Sequence, residues 1–323
     1  MDVEVLLWTE LVALAGGRDR ARRLLADGLF RRVLRGAYVD HVVPDGPELR
    51  CAAVARALPA GVVLSGRAAL WAVGVDVLPT DEHLDVTTER GKHLERRPGL
   101  VPHSALLPAD ELVQLPGGLL AMSAARAFVD VARRETLVEA VALGDAVLRS
   151  GAASTESLAV AVDRAAGLRG VVAARAVLPH LEARSESQGE SRLRMGLVLE
   201  GLPRPEAQAD LYDEGGRHLA RVDLVLDGVL LEYDGREQRL RKPVFVHDRR
   251  RQNALVDRGA ELRRYSGEDV APVRRSWLAA EVRRALRAAA ARPAPALQRG
   301  PDTLRPPRLT PLLTLAEQPR AAA

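Results

Sequence analysis

A single cysteine, Cys51, in 323 residues excludes an intramolecular disulfide and a cysteine-rich zinc site, and it suits a reducing, cytoplasmic compartment. The seven histidines show no metal-ligand spacing, so His83, His93 and His103 read as ordinary loop or strand residues. No phosphate-binding loop, dinucleotide fingerprint or Gly-x-Ser-x-Gly elbow occurs. No apolar run reaches membrane-spanning length, and the start Met1-Asp2-Val3-Glu4 is acidic where a secretory signal would be basic, so no membrane association is expected. Lysine is nearly missing too: Lys92 and Lys242 are the only two, leaving arginine to carry the basic charge. Arginine suits bidentate contact with phosphate and guanine. The net charge of +4 and isoelectric point near 9.7 favour nucleic acid only modestly.

What the chain does have is an acidic hairpin at Val222-Asp223-Leu224-Val225-Leu226-Asp227-Gly228-Val229-Leu230-Leu231-Glu232-Tyr233-Asp234. Asp-Gly between β-type apolar runs is the strongest short-range hairpin signal. A two-residue loop at Asp227-Gly228 sets 226 against 229 and 224 against 231, so Asp223 falls opposite Glu232 with Cβ atoms ~5 Å apart. Alternation then places Val222, Leu224, Leu226, Val229, Leu231 and Tyr233 on one face, and Arg221, Asp223, Glu232 and Asp234 on the other. By the same register Arg221 pairs with Asp234 in an ordinary surface salt bridge. With Arg221 taken by Asp234, Asp223 and Glu232 are left over with no further basic residue on that face. Their repulsion is relieved by a shared proton or a cation, and a divalent ion is the usual resolution.

Ser187-Gln188-Gly189-Glu190 reads as a capping box opening a helix through Leu193, Leu197 and Val198 that stops at Gly201. Glu206–Tyr212 reads as a strand, Gly215-Gly216 as a turn, and the hairpin follows. Pro243 to Arg258 reads as a helix capped by Gly259, then Glu261–Tyr265 as a strand, and Glu268 to Ala290 as the last helix. The string is α-β-β-β-α-β-α.

That order, together with Glu190-Ser191-Arg192-Leu193-Arg194, Arg221-Val222-Asp223, Glu232-Tyr233-Asp234-Gly235 and Asp248-Arg249-Arg250-Arg251, resembles the PD-(D/E)xK nuclease superfamily, and within it the very-short-patch-repair-like (Vsr-like) endonuclease domains. The resemblance spans roughly residues 185 to 270. It implies that Asp223 and Glu232 hold Mg²⁺ or Mn²⁺, with Glu190 reaching the same ion in addition to its capping role, and that the substrate is a DNA phosphodiester. Two departures bear on catalysis. Asp234 stands where the pattern has lysine, and Gln238 stands where Vsr-like relatives commonly carry histidine; glutamine is no general base near neutral pH. Arg251 or Arg249 is then the candidate for the missing positive charge, with metal-bound water as nucleophile. Glu190, Asp223, Glu232, Asp234 and Arg251 are the candidate catalytic set.

Residues 1 to 42 outline a small winged helix: a helix through Leu7, Leu11 and Leu14, a Gly16-Gly17 break, a second helix from Arg18 to Ala26, and two short strands turning at Arg35-Gly36. The ending Arg35-Gly36-Ala37-Tyr38 resembles the N-terminal domain of the AbiEi family of type IV antitoxins. The resemblance extends into residues 60 to 135 through Leu64-Ser65-Gly66-Arg67-Ala68-Ala69-Leu70-Trp71, His83-Leu84-Asp85-Val86-Thr87 and Ala121-Met122-Ser123-Ala124-Ala125-Arg126, with Gly66 where a histidine is expected. It implies DNA and a toxin or regulatory partner. In winged helices the second helix enters the major groove and the wing meets phosphates, so Arg22, Arg23, Arg31, Arg32 and Arg35 are the candidate nucleic-acid contacts, joined by Arg249 and Arg250 beside the acidic face.

Between Glu135 and Leu181 apolar residues recur at helical spacing with breaks at Gly144, Gly151, Gly167 and Gly170. The proline-rich stretch from 291 reads as disordered. The expected architecture is α/β, of α+β type: a winged helix (1–42), a middle α/β and helical region (43–182), a restriction-endonuclease-like αβββαβα core (183–290) and a tail (291–323). Two activities remain open: a Mg²⁺-dependent endonuclease targeted by its winged helix, and an antitoxin-like DNA-binding regulator whose nuclease core has lost catalysis.

Overall fold

The computed structural model describes residues 4–77, 83–235 and 251–300. These divide into two units, residues 4–134 with 150–171 and residues 135–149 with 172–300. The mixed α/β architecture expected from the sequence is present in both.

The first unit opens with strand β1 (Leu6–Leu7), helices α1 (Trp8–Ala15) and α2 (Arg18–Ala26), and strands β2 (Phe30–Leu34) and β3 (Ala37–Asp40), which pair in the order β1-β3-β2. Gly16 takes φ 70° between the helices and Gly36 takes φ 94° in the turn, left-handed positions that favour glycine. Of the three leucines expected to anchor α1, only Leu11 does so: Leu7 lies in β1 and Leu14 is 65% exposed. The helix is only eight residues long, and Leu11 is its one fully buried residue.

Behind this element come α3 (Pro47–Ala57), β4 (Val63–Leu64), α4 (Gly66–Ala72), β5 (Leu84–Glu89), β6 (Leu100–Ala105), β7 (Leu112–Gln114), β8 (Leu120–Met122) and α5 (Ala124–Ala132). The five strands form one mixed sheet in the order β6-β5-β4-β8-β7. Helix α4 is buried along nearly its whole length and packs on α5 and β5. Ser123 caps α5 through its hydroxyl, which accepts from the Arg126 N–H. At Gly66 (φ 55°) an added Cβ would fall 2.6 Å from Asp85 Oδ2, so any larger residue there would displace the Asp85 carboxylate.

Helices α6 (Leu137–Ser150), α7 (Thr155–Arg164) and α8 (Val171–Val177) fill the stretch that sequence periodicity assigned to linking helices. Gly151, Gly167 and Gly170 interrupt it as expected, each at positive φ, but Gly144 does not; it sits buried inside α6. Gly170 lies where a Cβ would meet the Arg133 carbonyl oxygen at 2.3 Å, so this break is also a close backbone approach.

The second unit contains α9 (Gln188–Leu199), β9 (Glu206–Tyr212), β10 (His218–Leu226), β11 (Val229–Asp234), helical residues 251–256 (α10), β12 (Glu261–Ser266), α11 (Arg275–Ala290) and β13 (Gln298–Arg299). The sheet order is β12-β11-β10-β9-β13, with β12 parallel to β11 and the other pairs antiparallel. This is the α-β-β-β-α-β-α order read from the sequence. Leu193, Leu197, Leu224, Leu226, Val229, Leu231, Tyr265, Leu278 and Val282 form one apolar layer with α9 and α11. Leu211, Ala220, Val222, Val225, Leu230 and Leu255 form another with α10. Each fully buried Leu or Val contributes about 1.5–3 kcal/mol, so the two layers account for the burial of an otherwise exposed sheet.

Three expectations are corrected here. Strict alternation put Val222 beside Leu224, yet Val222 packs in the α10 layer and Leu224 in the α9 layer. The exchange occurs at the pair next to Gln208, whose φ of 54° is left-handed, and such a residue rotates the strand about its axis. The last helix starts at Arg275 rather than near Glu268, because Asp269 turns back to accept from the Ser266 N–H and hydroxyl. The proline-rich stretch is ordered through Gly300: β13 pairs with the β9 edge, and Arg299 and Arg292 reach Glu206 and Glu261. An unpaired sheet edge supplies the hydrogen bonds that composition alone gave no reason to expect.

Candidate functional site

Asp227 (φ 43°) and Gly228 (φ 83°) make the two-residue turn of the β10–β11 hairpin, both central residues at positive φ. The register follows: Leu226 faces Val229, Val225 faces Leu230 and Leu224 faces Leu231. Asp223 and Glu232 are the next positions along. On the other side of β10, Arg221 faces Asp210, Val222 faces Ala209 and Leu224 faces Ala207, which sets Gln208 beside Asp223. Parallel pairing of β11 with β12 sets Arg264 beside Glu232.

Glu190 reaches this group from the first turn of α9. Ser187 Oγ accepts from the Glu190 N–H at 3.1 Å, and Glu190 Oε2 accepts from the Glu186 N–H at 2.8 Å, so the carboxylate turns back over the helix start one residue further than a standard capping box. The same oxygen accepts from Gln208 Nε2 at 2.8 Å, while Gln208 Nε2 stands 3.5 Å from Asp223 Oδ1. Arg221 Nε donates to Gln208 Oε1 at 2.8 Å. Gln208 thus bridges two carboxylates through its amide, and a non-glycine residue held at positive φ is the kind of backbone strain that collects at functional sites. Asp223 Oδ2 accepts from the Tyr233 N–H at 2.7 Å. Gly189 makes room for this: a Cβ there would strike the Tyr233 ring at 1.9 Å.

Burial, then the neighbouring Asp223 charge, pushes the Glu190 carboxyl up to about 7. Burial likewise holds Asp223 above the usual carboxylate range. Neither takes part in a salt bridge among the described residues. Glu232, 5% exposed, behaves otherwise. Arg251 Nη2 donates to its Oε1 at 2.8 Å while Arg251 Nη1 holds the Arg221 carbonyl, and Arg264 Nε lies 3.6 Å from Oε2. Arg264 also takes Asp234 at 2.6 Å. The expected Arg221–Asp234 pair does not form: Arg221 turns to Gln208, Asp210 and Glu186, and Asp234 is satisfied by the parallel neighbour strand. The hairpin by itself left Asp223 and Glu232 without a cation; α10 and β12 bring two to Glu232.

The five residues proposed from the sequence therefore gather at one end of the sheet, as two linked groups: Glu190–Gln208–Asp223, and Arg251–Glu232–Arg264–Asp234. Gln208 and Arg264 were not picked out beforehand; Gln208 shows no sequence signal, and Arg264 could be found only by knowing that β12 runs parallel to β11. Among the described residues no three His, Cys, Asp or Glu side chains are arranged to hold a metal. Glu190 and Asp223 keep buried oxygens outside any ion pair among the described residues, with the Gln208 amide between them, whereas Glu232 is engaged by two guanidinium groups. Arg249, Arg250 and Gln238 lie outside the described residues.

In the N-terminal three-stranded element Arg31 Nη2 donates to the Val43 carbonyl at 2.8 Å, Arg22 pairs with Asp19 and Arg35 approaches Glu95 at 3.7 Å. Arg23 and Arg32 are exposed and form no ion pair among the described residues. No helix among the described residues is long and apolar enough to cross a membrane.

A family model described as the AbiEi antitoxin C-terminal domain matches residues 39–180. Two uncharacterized proteins of Mycobacterium tuberculosis, MT2308 of strain CDC 1551 and Rv2248 of strain H37Rv, are each 35% identical over 149 residues, 46% of this chain and 55% of theirs. The chain thus spans about half the length of the curated relatives it matches. A crystal structure of the RV2827C protein from Mycobacterium tuberculosis aligns over 55% of this chain and 76% of its own at 21% identity, with a TM-score of 0.36. The antitoxin match covers residues 60–135 and begins at residue 39, within β3.

Proposed function

We propose that the chain is a DNA-binding regulator of the type IV antitoxin kind, whose second unit keeps a nuclease-like core. The observation that carries this reading is the antitoxin match over residues 39–180 directly behind a three-stranded winged-helix element. Its partners are then duplex DNA, met by α2 and by the β2–β3 wing, and a toxin recognised by the matched segment. The arginines left for phosphate are Arg23 and Arg32, since Arg22, Arg31 and Arg35 have partners within the protein. The pairing of Glu232 with Arg251 and Arg264 agrees with a core that no longer turns over a phosphodiester.

The test is a gel shift of the DNA upstream of the protein's own coding region. Arg23→Ala and Arg32→Ala are each expected to weaken binding evenly across sequences and to lower the salt slope by about one. No shift at any salt concentration would end the regulator reading.

A metal-dependent endonuclease is the second reading, favoured by one feature: Glu190 and Asp223 converge on Gln208 with raised pKa values and no ion pair. A divalent ion bound there would supply Lewis-acid charge and an activated water. On this reading supercoiled plasmid is nicked in Mg²⁺ or Mn²⁺ and Asp223→Ala abolishes nicking, an effect of at least about 100-fold for loss of a preorganised electrostatic group. Plasmid left intact by the wild-type protein, with no heat of Mn²⁺ binding, removes it.

A further inference from the structure

The middle segment carries a second candidate site. Arg97-Pro98-Gly99-Leu100 forms a tight turn: the Leu100 N–H donates to the Arg97 carbonyl at 3.0 Å, Pro98 sits second and Gly99 takes φ 83°, as a type II turn demands. The turn leads into β6, whose first residue pairs in parallel with Leu84 of β5. A cleft of about 700 Å³ opens here, walled by His83, Asp85, Arg96, Arg97, Leu100 and Val101. That volume lies within the range of small-molecule sites.

The chemistry of the walls is uneven. Arg97 Nε is buried with no hydrogen-bond partner, and neither Arg97 nor Arg96 forms an ion pair among the described residues. A buried donor left unsatisfied is costly, and an incoming acceptor would satisfy it. Among the described residues the one carboxylate on the walls, Asp85, is already engaged by His103 Nε2 at 2.6 Å and is packed against Gly66, so it neither neutralises the arginines nor is free to move toward them. An adjoining pocket of about 220 Å³ is lined by Arg31, Arg32, Arg50 and Asp45; Arg50 is paired with Asp45 and Arg31 donates to the Val43 carbonyl, so Arg32 is the arginine it adds. The guanidinium fork matches a tetrahedral oxyanion in bidentate fashion, Asp85 offers an acceptor to a sugar hydroxyl or base amino group, and Leu100 and Val101 offer an apolar wall.

We propose that this cleft binds the phosphate of a nucleotide, with Arg97 as the principal anchor and Arg96 as the second. The phosphate belongs to a free nucleotide or to a DNA strand. This goes beyond the winged-helix reading, which assigns the middle segment no contact with phosphate. Calorimetry with ATP and with inorganic tripolyphosphate, and fluorescence anisotropy with a labelled duplex, on the full chain would separate the sources. Arg97→Gln and the Arg96→Gln/Arg97→Gln pair serve as variants, and thermal unfolding checks that both remain folded. If the source is a free nucleotide, ATP binds better than tripolyphosphate and Arg97→Gln weakens it at least tenfold without altering duplex affinity. If the source is DNA, ATP gives no heat and the double variant weakens the duplex tenfold. Absence of ATP heat together with duplex affinity unchanged by the double variant overturns the site, and leaves DNA binding through Arg23 and Arg32 standing.

Discussion

Asp145→Ala is expected to lower the unfolding free energy by about 3–5 kcal/mol, the cost of leaving one member of a buried ion pair uncompensated. Asp145 on α6 and Arg194 on α9 are both fully buried, with Nη2 and Oδ2 2.7 Å apart. Asp145 Oδ1 also accepts from the Glu182 N–H at 2.7 Å, and Arg194 Nη1 donates to the His180 carbonyl at 2.9 Å. Removing the carboxylate strands a guanidinium whose Nε already lacks a partner. The pair is not favourable merely by being charged: Asp145→Leu with Arg194→Met, which takes both charges out of the interior together, is expected to recover most of the loss. Chemical denaturation of the single and double variants measures this directly. A loss below about 1 kcal/mol for Asp145→Ala would mean that the interior is wetter than its packing indicates.

Glu190→Gln is expected to stabilise the protein at pH 8 by about 3 kcal/mol and to leave it little changed at pH 5. The carboxyl is pushed from 4.5 up to about 7 by burial and by Asp223. Between those values the folded protein holds a proton that the unfolded chain has released, so stability falls as pH rises, by about 1.4 kcal/mol per pH step. Above pH 7 the whole penalty is present; below the unfolded value it is absent. Glutamine removes the titration while its amide oxygen can still accept from Gln208 and from the Glu186 N–H. Denaturant midpoints of the two proteins from pH 5 to 8 should diverge through that window, and parallel curves would show that Glu190 stays ionised in the folded protein. If Mn²⁺ binds at Glu190 and Asp223, it displaces the proton held by Glu190, so saturating Mn²⁺ should flatten the wild-type pH dependence.

The hairpin register was legible because local chemistry sets it: Asp-Gly supplies two positive-φ residues and apolar residues flank it, so Leu224 meets Leu231 with no help from the rest of the chain. The capping serine and the glycine stops of α9 and α10 were legible for the same reason. The partners of the carboxylates were not. Arg264 meets Glu232 and Asp234 only because β12 runs parallel to β11, a long-range choice with no signature in neighbouring residues. Gln208 gave no signal, since its role depends on a left-handed backbone that nothing about glutamine favours. The turn-borne Arg97 was passed over because Pro-Gly announces a turn but not the cleft beside it.

From its residues alone the chain determined the order of helices and strands and the tight turns, since these depend on contacts a few positions apart. Only the tertiary structure decided the state of the acidic residues: Glu232 is met by arginines from α10 and β12, while Glu190 and Asp223 are bridged by an amide and pushed toward protonation by burial. The reason is that a carboxylate's state follows from the dielectric and the charges within a few ångströms of it, and those neighbours arrive from parts of the chain far away in sequence.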